Sequence, residues 1–201
     1  MIVLIAPKKD IEDETQILNQ LLESDLECYH LSKPNKNYQE HVDFLKEINS
    51  DYHNRIVLHN FHELTNDFDL KGIHFEEQQR RKYIETPTRY FKDLKLFGKT
   101  ISSSFSELND LVDSDFEFDY HLLSQIFSSE NQPNSEGSQI DVGDVDKLII
   151  GMGGIDAHNI HKVFNLGYQG VAVLESVWNS NDPVGSSTDL KTIHDSIRIQ
   201  P

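Results

Sequence analysis

Short apolar runs alternate along the chain with longer stretches in which apolar residues recur every three or four positions. The runs at 2–6, 27–31, 55–58, 70–75, 99–103, 118–123, 148–150 and 170–174 are too brief for helices and read as strands. Between them, 12–23 carries Ile17, Leu18, Leu21 and Leu22 as a stripe, with Asp13 as N-cap and Gln16 three residues on. A second helix at 38–48 has Val42, Phe44, Leu45 and Ile48 as its apolar positions, and 61–68 holds at most two helical turns. The stretch 76–96 is polar and loosely periodic, and Pro87 interrupts it, so a helix is expected before that proline and a restart after it. Another helix begins at Ser106 with Leu108, Leu111 and Val112, and 189–197 closes the chain as a terminal helix. Eight strands alternating with helices define an α/β protein; alternation alone fits a closed barrel and an open, doubly wound sheet equally.

The most informative unit spans 148–178. Its first strand ends in Gly151-Met152-Gly153-Gly154, Asp156 caps a helix carrying Ile160, Val163, Phe164 and Leu166, and Gly167 stops it. The run at 170–174 is apolar on both faces, so the unit reads as a parallel, right-handed crossover. Glycines at the carboxyl end of a strand let backbone N–H groups approach an anion. An isolated Gly-Gly is more often only a tight turn. The segment 128–146 is too polar to pack and reads as a long loop, either a disordered excursion or a lid.

With 201 residues there is room for one domain, 1–201, and an apolar share of 37% suits a modest core. The net charge of −16 argues against nucleic acid and anionic membrane as partners, and obliges any phosphate site to be built locally. The single Cys28 allows no internal disulfide and fits a reducing compartment, and no Cys/His cluster has zinc-site spacing. Residues 2–6 stop at Pro7-Lys8-Lys9 and read as a strand rather than a signal peptide; no run is long enough to span a membrane. The expectation is a cytoplasmic protein without a metal site of recognisable spacing.

Gly153-Gly154-Ile155, then Asn159, then Gly170-Val171-Ala172-Val173, resembles the closing signature of the thiamine phosphate synthase/TenI superfamily. The resemblance implies a single compact (β/α)8 TIM barrel, with a thiazole phosphate held at Gly153, Gly154, Glu175 and Ser176. Glu175 stands where the family has a small polar residue. After strand two the family's Gln/His-Leu/Ile-Arg-Glu-Lys is met by His30-Leu31, but Ser32, Lys33 and Pro34 replace the charged trio; Lys33 and Lys36 supply charge from the same loop. The Asn-Asp after strand three is His59-Asn60, and Gly-Val-His-Leu in strand four is Gly72-Ile73-His74-Phe75. Ser-x-His is met by Ser104-Phe105-Ser106, and Asp-Tyr by Asp119-Tyr120. The Gly-Pro that follows is met by Ser124-Gln125, and the Thr-x-Thr-Lys clamp by Ser128-Ser129. Magnesium is the family's cofactor, and its two Asp ligands are replaced here at Asn60 and Gln79. Glu63, Glu76 and Glu77 are the nearest carboxylates, and each reads first as solvated surface.

The resemblance therefore implies Ser32, Lys33, His59, Asn60, Ser104 and Ser129 as substrate-binding residues. His30, His74 and His121 are the candidate proton carriers. Three functions fit: coupling of thiazole phosphate with hydroxymethylpyrimidine diphosphate by a synthase-like transferase, a TenI-like thiazole tautomerase, and a non-catalytic binder of a phosphorylated thiazole. The partner implied is thiazole phosphate or thiamine phosphate, and a homodimer is left open.

Overall fold

The computed structural model describes residues 1–84, 89–128 and 137–198. Pro87 and most of the polar part of the 128–146 loop lie outside them. Eight strands follow one another around a closed parallel barrel: β1 Ile2–Ile5, β2 Cys28–Leu31, β3 Ile56–Leu58, β4 Gly72–Phe75, β5 Thr100–Phe105, β6 Tyr120–Ser124, β7 Ile149–Met152 and β8 Gly170–Val173. β1 closes the ring, with Val3 opposite Cys28 on one side and Ala172 on the other. The open doubly wound alternative is excluded.

Successive side chains of a strand point to opposite faces. Val3, Cys28, Val57, Tyr120, Leu122, Ile150 and Ala172 point inward and form a small central cluster. Their neighbours, including Leu4, Tyr29, Leu31, Ile56, Leu58 and Ile73, point outward into a larger core shared with the helices. The apolar runs serve both cores, which is why they are nearly continuous rather than alternating.

Around the barrel lie α1 Glu14–Glu23, α2 Tyr38–Glu47, α3 Glu77–Tyr83, α4 Leu108–Val112, α5 Ile160–Asn165, α6 Glu175–Trp178 and α7 Pro183–Arg198, with 3-10 turns at Ser50–Arg55, His62–Asn66 and Tyr90–Asp93. α1 buries Leu18, Leu21 and Leu22, as its stripe predicts. Asp13, however, is left-handed (φ 55°) and makes no side-chain capping bond. α2 has the stronger start: the Asn37 side chain accepts from the Glu40 N–H, and the Glu40 carboxylate accepts from the Asn37 N–H. α7 begins six residues before the expected 189, with Pro183 in its first turn, because its opening turns are small and polar and carry no periodic apolar signal. α6, directly after β8, is likewise too short to leave a periodic pattern. No helix among the described residues is long and apolar enough to cross a membrane.

The Asn37 capping box generates a direct expectation. Asn37→Ala removes one of two reciprocal bonds and should lower unfolding free energy by about 1 kcal/mol, seen as a lower urea midpoint with unchanged slope. An unchanged midpoint would show that tertiary packing alone holds α2.

Candidate active site

A cavity of about 820 Å³ opens at the carboxyl ends of the strands, where residues from every strand end or following loop meet. That volume suits a drug-sized ligand, and this end of a TIM barrel is where such folds place chemistry. Two groups of residues face each other across it.

On one side is the turn after β7. Gly153 and Gly154 have φ of 108° and 60°, a region that favours glycine. A Cβ on Gly154 would collide with the Ser128 carbonyl, so this glycine is required by loop packing irrespective of any ligand. The Asn159 side chain holds the turn, donating from Nδ2 to the Gly154 carbonyl at 2.8 Å and accepting at Oδ1 from the Asp156 N–H at 3.0 Å. The Asp156 carboxylate in turn accepts from the N–H groups of His158 and Asn159. Glu175 and Ser176 line the adjoining wall. The Ser176 hydroxyl oxygen is buried there without a hydrogen-bond partner, an arrangement that costs free energy unless something completes it.

On the other side, strand alternation sends His30, His59 and His74 into the barrel. His30 Nδ1 lies 3.0 Å from His59 Nε2, and His30 Nε2 lies 2.6 Å from Tyr120 Oη. His74 bonds Ser102 Oγ through Nδ1 at 2.8 Å and Ser104 Oγ through Nε2 at 2.7 Å. His59 Nδ1 points at Glu76 Oε1, 3.5 Å away, an ion-pair distance rather than a short hydrogen bond. Burial pushes the His30 and His74 imidazoles well below their ordinary pKa. It also lowers His59, although the Glu76 carboxylate pulls the other way. Glu76 itself is held below the usual carboxylate range, first by His59 and with help from Lys8 and Ser32. The interior thus holds neutral imidazoles, and an ionised carboxylate stands at the mouth.

Of the residues singled out from the sequence, Ser32, His59, Ser104, Gly153, Gly154, Glu175 and Ser176 line this one cavity. His30 and His74 lie beneath it, fully buried, with both ring nitrogens engaged. His121 is placed on the opposite face: Tyr120 and Leu122 point inward, so His121 between them packs on Phe105 and Phe118 and donates from Nδ1 to the Leu148 carbonyl at 3.2 Å. Lys33 also points outward, because Ser32 takes the inward position. Its ammonium is buried against Glu14 at 2.6 Å and Asp10 at 3.3 Å, while Lys36 reaches Asp10 at 2.8 Å. Neither lysine serves the cavity. Asn60 is outside the lining, and Ser129 lies outside the described residues.

The residues at the family's magnesium positions do not fit that ion. Gln79 accepts from the Glu76 N–H and donates to the His59 carbonyl, which ties it to backbone, and Asn60 does not reach the cavity. Two charged cavity residues are not among the site residues expected from the sequence, although Glu76 is named there as a nearby carboxylate. Lys8 is the one Lys or Arg among the described lining residues; its signal is a cationic pair immediately after a strand. Glu76 is the other; its signal is that it follows inward-pointing His74 by two positions.

Eight parallel strands with a cavity at their carboxyl ends define a (β/α)8 barrel. The chain belongs to the thiamine monophosphate synthase (TMP-TENI) family, whose model matches residues 2–177. It is similar to a thiamine phosphate pyrophosphorylase from Bacteroides thetaiotaomicron, at 24% identity and a TM-score of 0.73 over 97% of both chains. One from Pyrococcus furiosus has 16% identity and a TM-score of 0.77 over 98% of this chain and 96% of that one. A 3-hexulose-6-phosphate synthase from Salmonella typhimurium shares the fold at 11% identity, with a TM-score of 0.63 over 98% of this chain and 99% of that one. At these identities the structural likeness establishes fold alone. No curated protein sequence matches the chain significantly.

The buried imidazoles make stability depend on pH. Burial lowers His62 to about 4, while an unfolded histidine titrates near 6.5. The unfolded state therefore takes up protons first as pH falls, and stability that is complete above about 6.5 is lost progressively toward 4. His62 alone should cost about 2 kcal/mol by pH 5, with His30, His59 and His74 adding to it. Urea unfolding at pH 7 and pH 5 checks this, before most carboxylates titrate; equal free energies would contradict neutral burial.

Proposed function

We propose that the barrel is a thiamine-pathway protein that binds a phosphorylated thiazole and moves a proton on it without metal, as a thiazole tautomerase would. The phosphate lies against the Gly153–Gly154 turn and Ser176, and the heterocycle faces Glu76. What carries this reading is the pairing across one cavity of a glycine turn beside an orphan serine hydroxyl with an ionised carboxylate backed by a buried imidazole. Glu76 is the proton acceptor: it is exposed to the cavity and ionised near neutrality. His59 keeps its Nδ1–H aimed at that carboxylate and so orients it, while Lys8 offsets part of the ligand's charge. General-base catalysis of this kind contributes roughly 10²–10⁴-fold.

The family match favours a second reading, synthase-type coupling of thiazole phosphate with hydroxymethylpyrimidine diphosphate. Departure of a diphosphate carrying roughly two to three negative charges needs cations or a metal to receive them. Lys8 alone among the described lining residues is cationic, so this reading has less support at the site itself. A binder without turnover is the third outcome.

Calorimetry should find thiazole phosphate bound in the presence of a chelator, and Ser176→Asp, which sets a carboxylate beside the phosphate, should weaken it at least tenfold. Equal affinity in that variant would remove the phosphate from this wall. Proton transfer, followed as deuterium incorporation from solvent into bound thiazole phosphate, should fall at least 100-fold in Glu76→Gln. Product formation from both synthase substrates that a chelator abolishes would instead establish the coupling reaction and a metal held by other groups.

A further inference from the structure

Three imidazoles meet inside the barrel beneath the cavity, carried by three neighbouring strands. His30 lies on β2 opposite Val57 of β3, His59 follows β3 directly, and His74 lies on β4 next to Ile73, the partner of Leu58. All three rings are buried, and one nitrogen from each lies within 4.8 Å of the other two. The ring centroids form a triangle with sides of 5.1, 5.0 and 4.3 Å. Imidazoles that share one zinc ion at N–Zn distances of about 2.0–2.1 Å in tetrahedral geometry have centroids roughly 5 Å apart. The side between His59 and His74 is the short one, and less than about 1 Å of ring movement opens it to that value. The wide spacing of the three residues in the sequence hides the cluster from any motif.

The surroundings suit a cation. His30 Nδ1 and His59 Nε2 face each other at 3.0 Å; two zinc-bound nitrogens stand about 3.3 Å apart. The second nitrogen of His30 has the Tyr120 hydroxyl at 2.6 Å, and an outer partner of this kind is what orients a metal-bound histidine. The Ser102 hydroxyl donates to the Ile73 carbonyl at 3.4 Å, so it accepts from His74 Nδ1–H at 2.8 Å and leaves the Nε2 lone pair of that ring for a ligand bond. His59 Nδ1 has no hydrogen-bond partner, so nothing else in the protein claims that ring beyond its Nε2 contact. Burial pushes all three imidazoles below their ordinary pKa, and the neutral form is the one that binds metal. The ionised Glu76 carboxylate, 3.5 Å from His59 Nδ1, supplies nearby negative charge, and a net charge of −16 attracts cations at long range.

We propose that His30 Nδ1, His59 Nε2 and His74 Nε2 form a binding site for one late first-row divalent cation, zinc foremost, inside the barrel. An all-imidazole set suits zinc and its neighbours and does not suit magnesium, which requires oxygen ligands. The site is separate from the family's magnesium positions at Asn60 and Gln79. It does not rest on the proton-transfer reading: the ion braces β2, β3 and β4 beneath the cavity, and the proton chemistry stays with Glu76. On binding, the cation takes the place of the proton shared by His30 and His59. The Ser104 hydroxyl, 2.7 Å from His74 Nε2, turns toward the cavity that it lines. Tyr120 and Ser102 are positioning residues, each fixing a ring through the nitrogen that does not bind the ion.

Titration of the full chain with Zn²⁺ and with Co²⁺, after chelator treatment and removal of the chelator, tests the site. One equivalent of Zn²⁺ should bind with a Kd below about 1 μM, and Co²⁺ should give the visible absorption of a four-coordinate imidazole site. His59→Gln and His74→Gln should each weaken Zn²⁺ at least tenfold and remove the cobalt bands. Tyr120→Phe, which takes away an outer partner, should weaken Zn²⁺ by roughly 10–100-fold and shift those bands. His158→Gln with His161→Gln, a pair exposed on the surface, should change neither. No saturable binding to the native protein would overturn the site, as would binding lost in the surface variant and kept in His74→Gln. If the interior variants do not fold, ¹⁵N-histidine NMR of the native protein decides. Zn²⁺ should shift His30 Nδ1, His59 Nε2 and His74 Nε2 strongly; unchanged resonances at these nitrogens would equally overturn the site. Binding of thiazole phosphate in the presence of a chelator bears on the proposed function alone, so the two can fail separately.

Discussion

Closure of the sheet between β1 and β8 is the constraint on which the rest of the molecule depends. A closed sheet has no unpaired edge, and it gives every strand residue one of two directions with nothing between. Tyr120 faces the interior because β6 pairs with β5 and β7 in that register, and His121 therefore faces the helices. The same rule sends Ser32 to the cavity and Lys33 into an ion pair with Glu14 behind the strand. Burial raises the Glu14 carboxyl despite that lysine, so the pair holds α1 to the barrel at a desolvation cost rather than offering charge to a ligand.

The barrel interior departs from the usual packing of branched aliphatic layers. Its lower part is apolar, with Val3, Val57 and Ile150, but toward the mouth it fills with imidazoles, hydroxyls and a phenol. Buried polar groups are tolerable only when satisfied; His30 and His74 have both ring nitrogens bonded, while His59 Nδ1 is buried with only the Glu76 carboxylate 3.5 Å away. Such an interior is less stable in acid than an aliphatic one.

Electrostatics bear on the cavity as well. A chain with a net charge of −16 repels anions at long range, so an anionic ligand would have to be held by short-range groups at the cavity wall. The Gly153–Gly154 turn, held by Asn159, lines the cavity together with Glu175 and Ser176.

The amino-acid sequence by itself determined the α/β alternation: eight short apolar runs, their spacing, and the glycine turn after β7 are local features, and local periodicity survives without knowledge of partners; that the sheet closes came from the family resemblance. Asn159 entered only as part of the family signature, and the structure shows it holding that turn. What only the tertiary structure decided is direction and company. The sequence-based expectation set His30, His74 and His121 side by side as proton carriers, yet closure buries two of them under the cavity and turns the third away. It also draws Glu76, which reads as solvated surface, and Lys8, which reads as a strand end, to the mouth. Side-chain direction alternates residue by residue, so an error of one position reverses a residue's role, and strand boundaries in a sequence are uncertain by more than that. The pairing of His30 with Tyr120, ninety positions apart, depends on ring closure across the sheet, and no pattern within either strand carries that information.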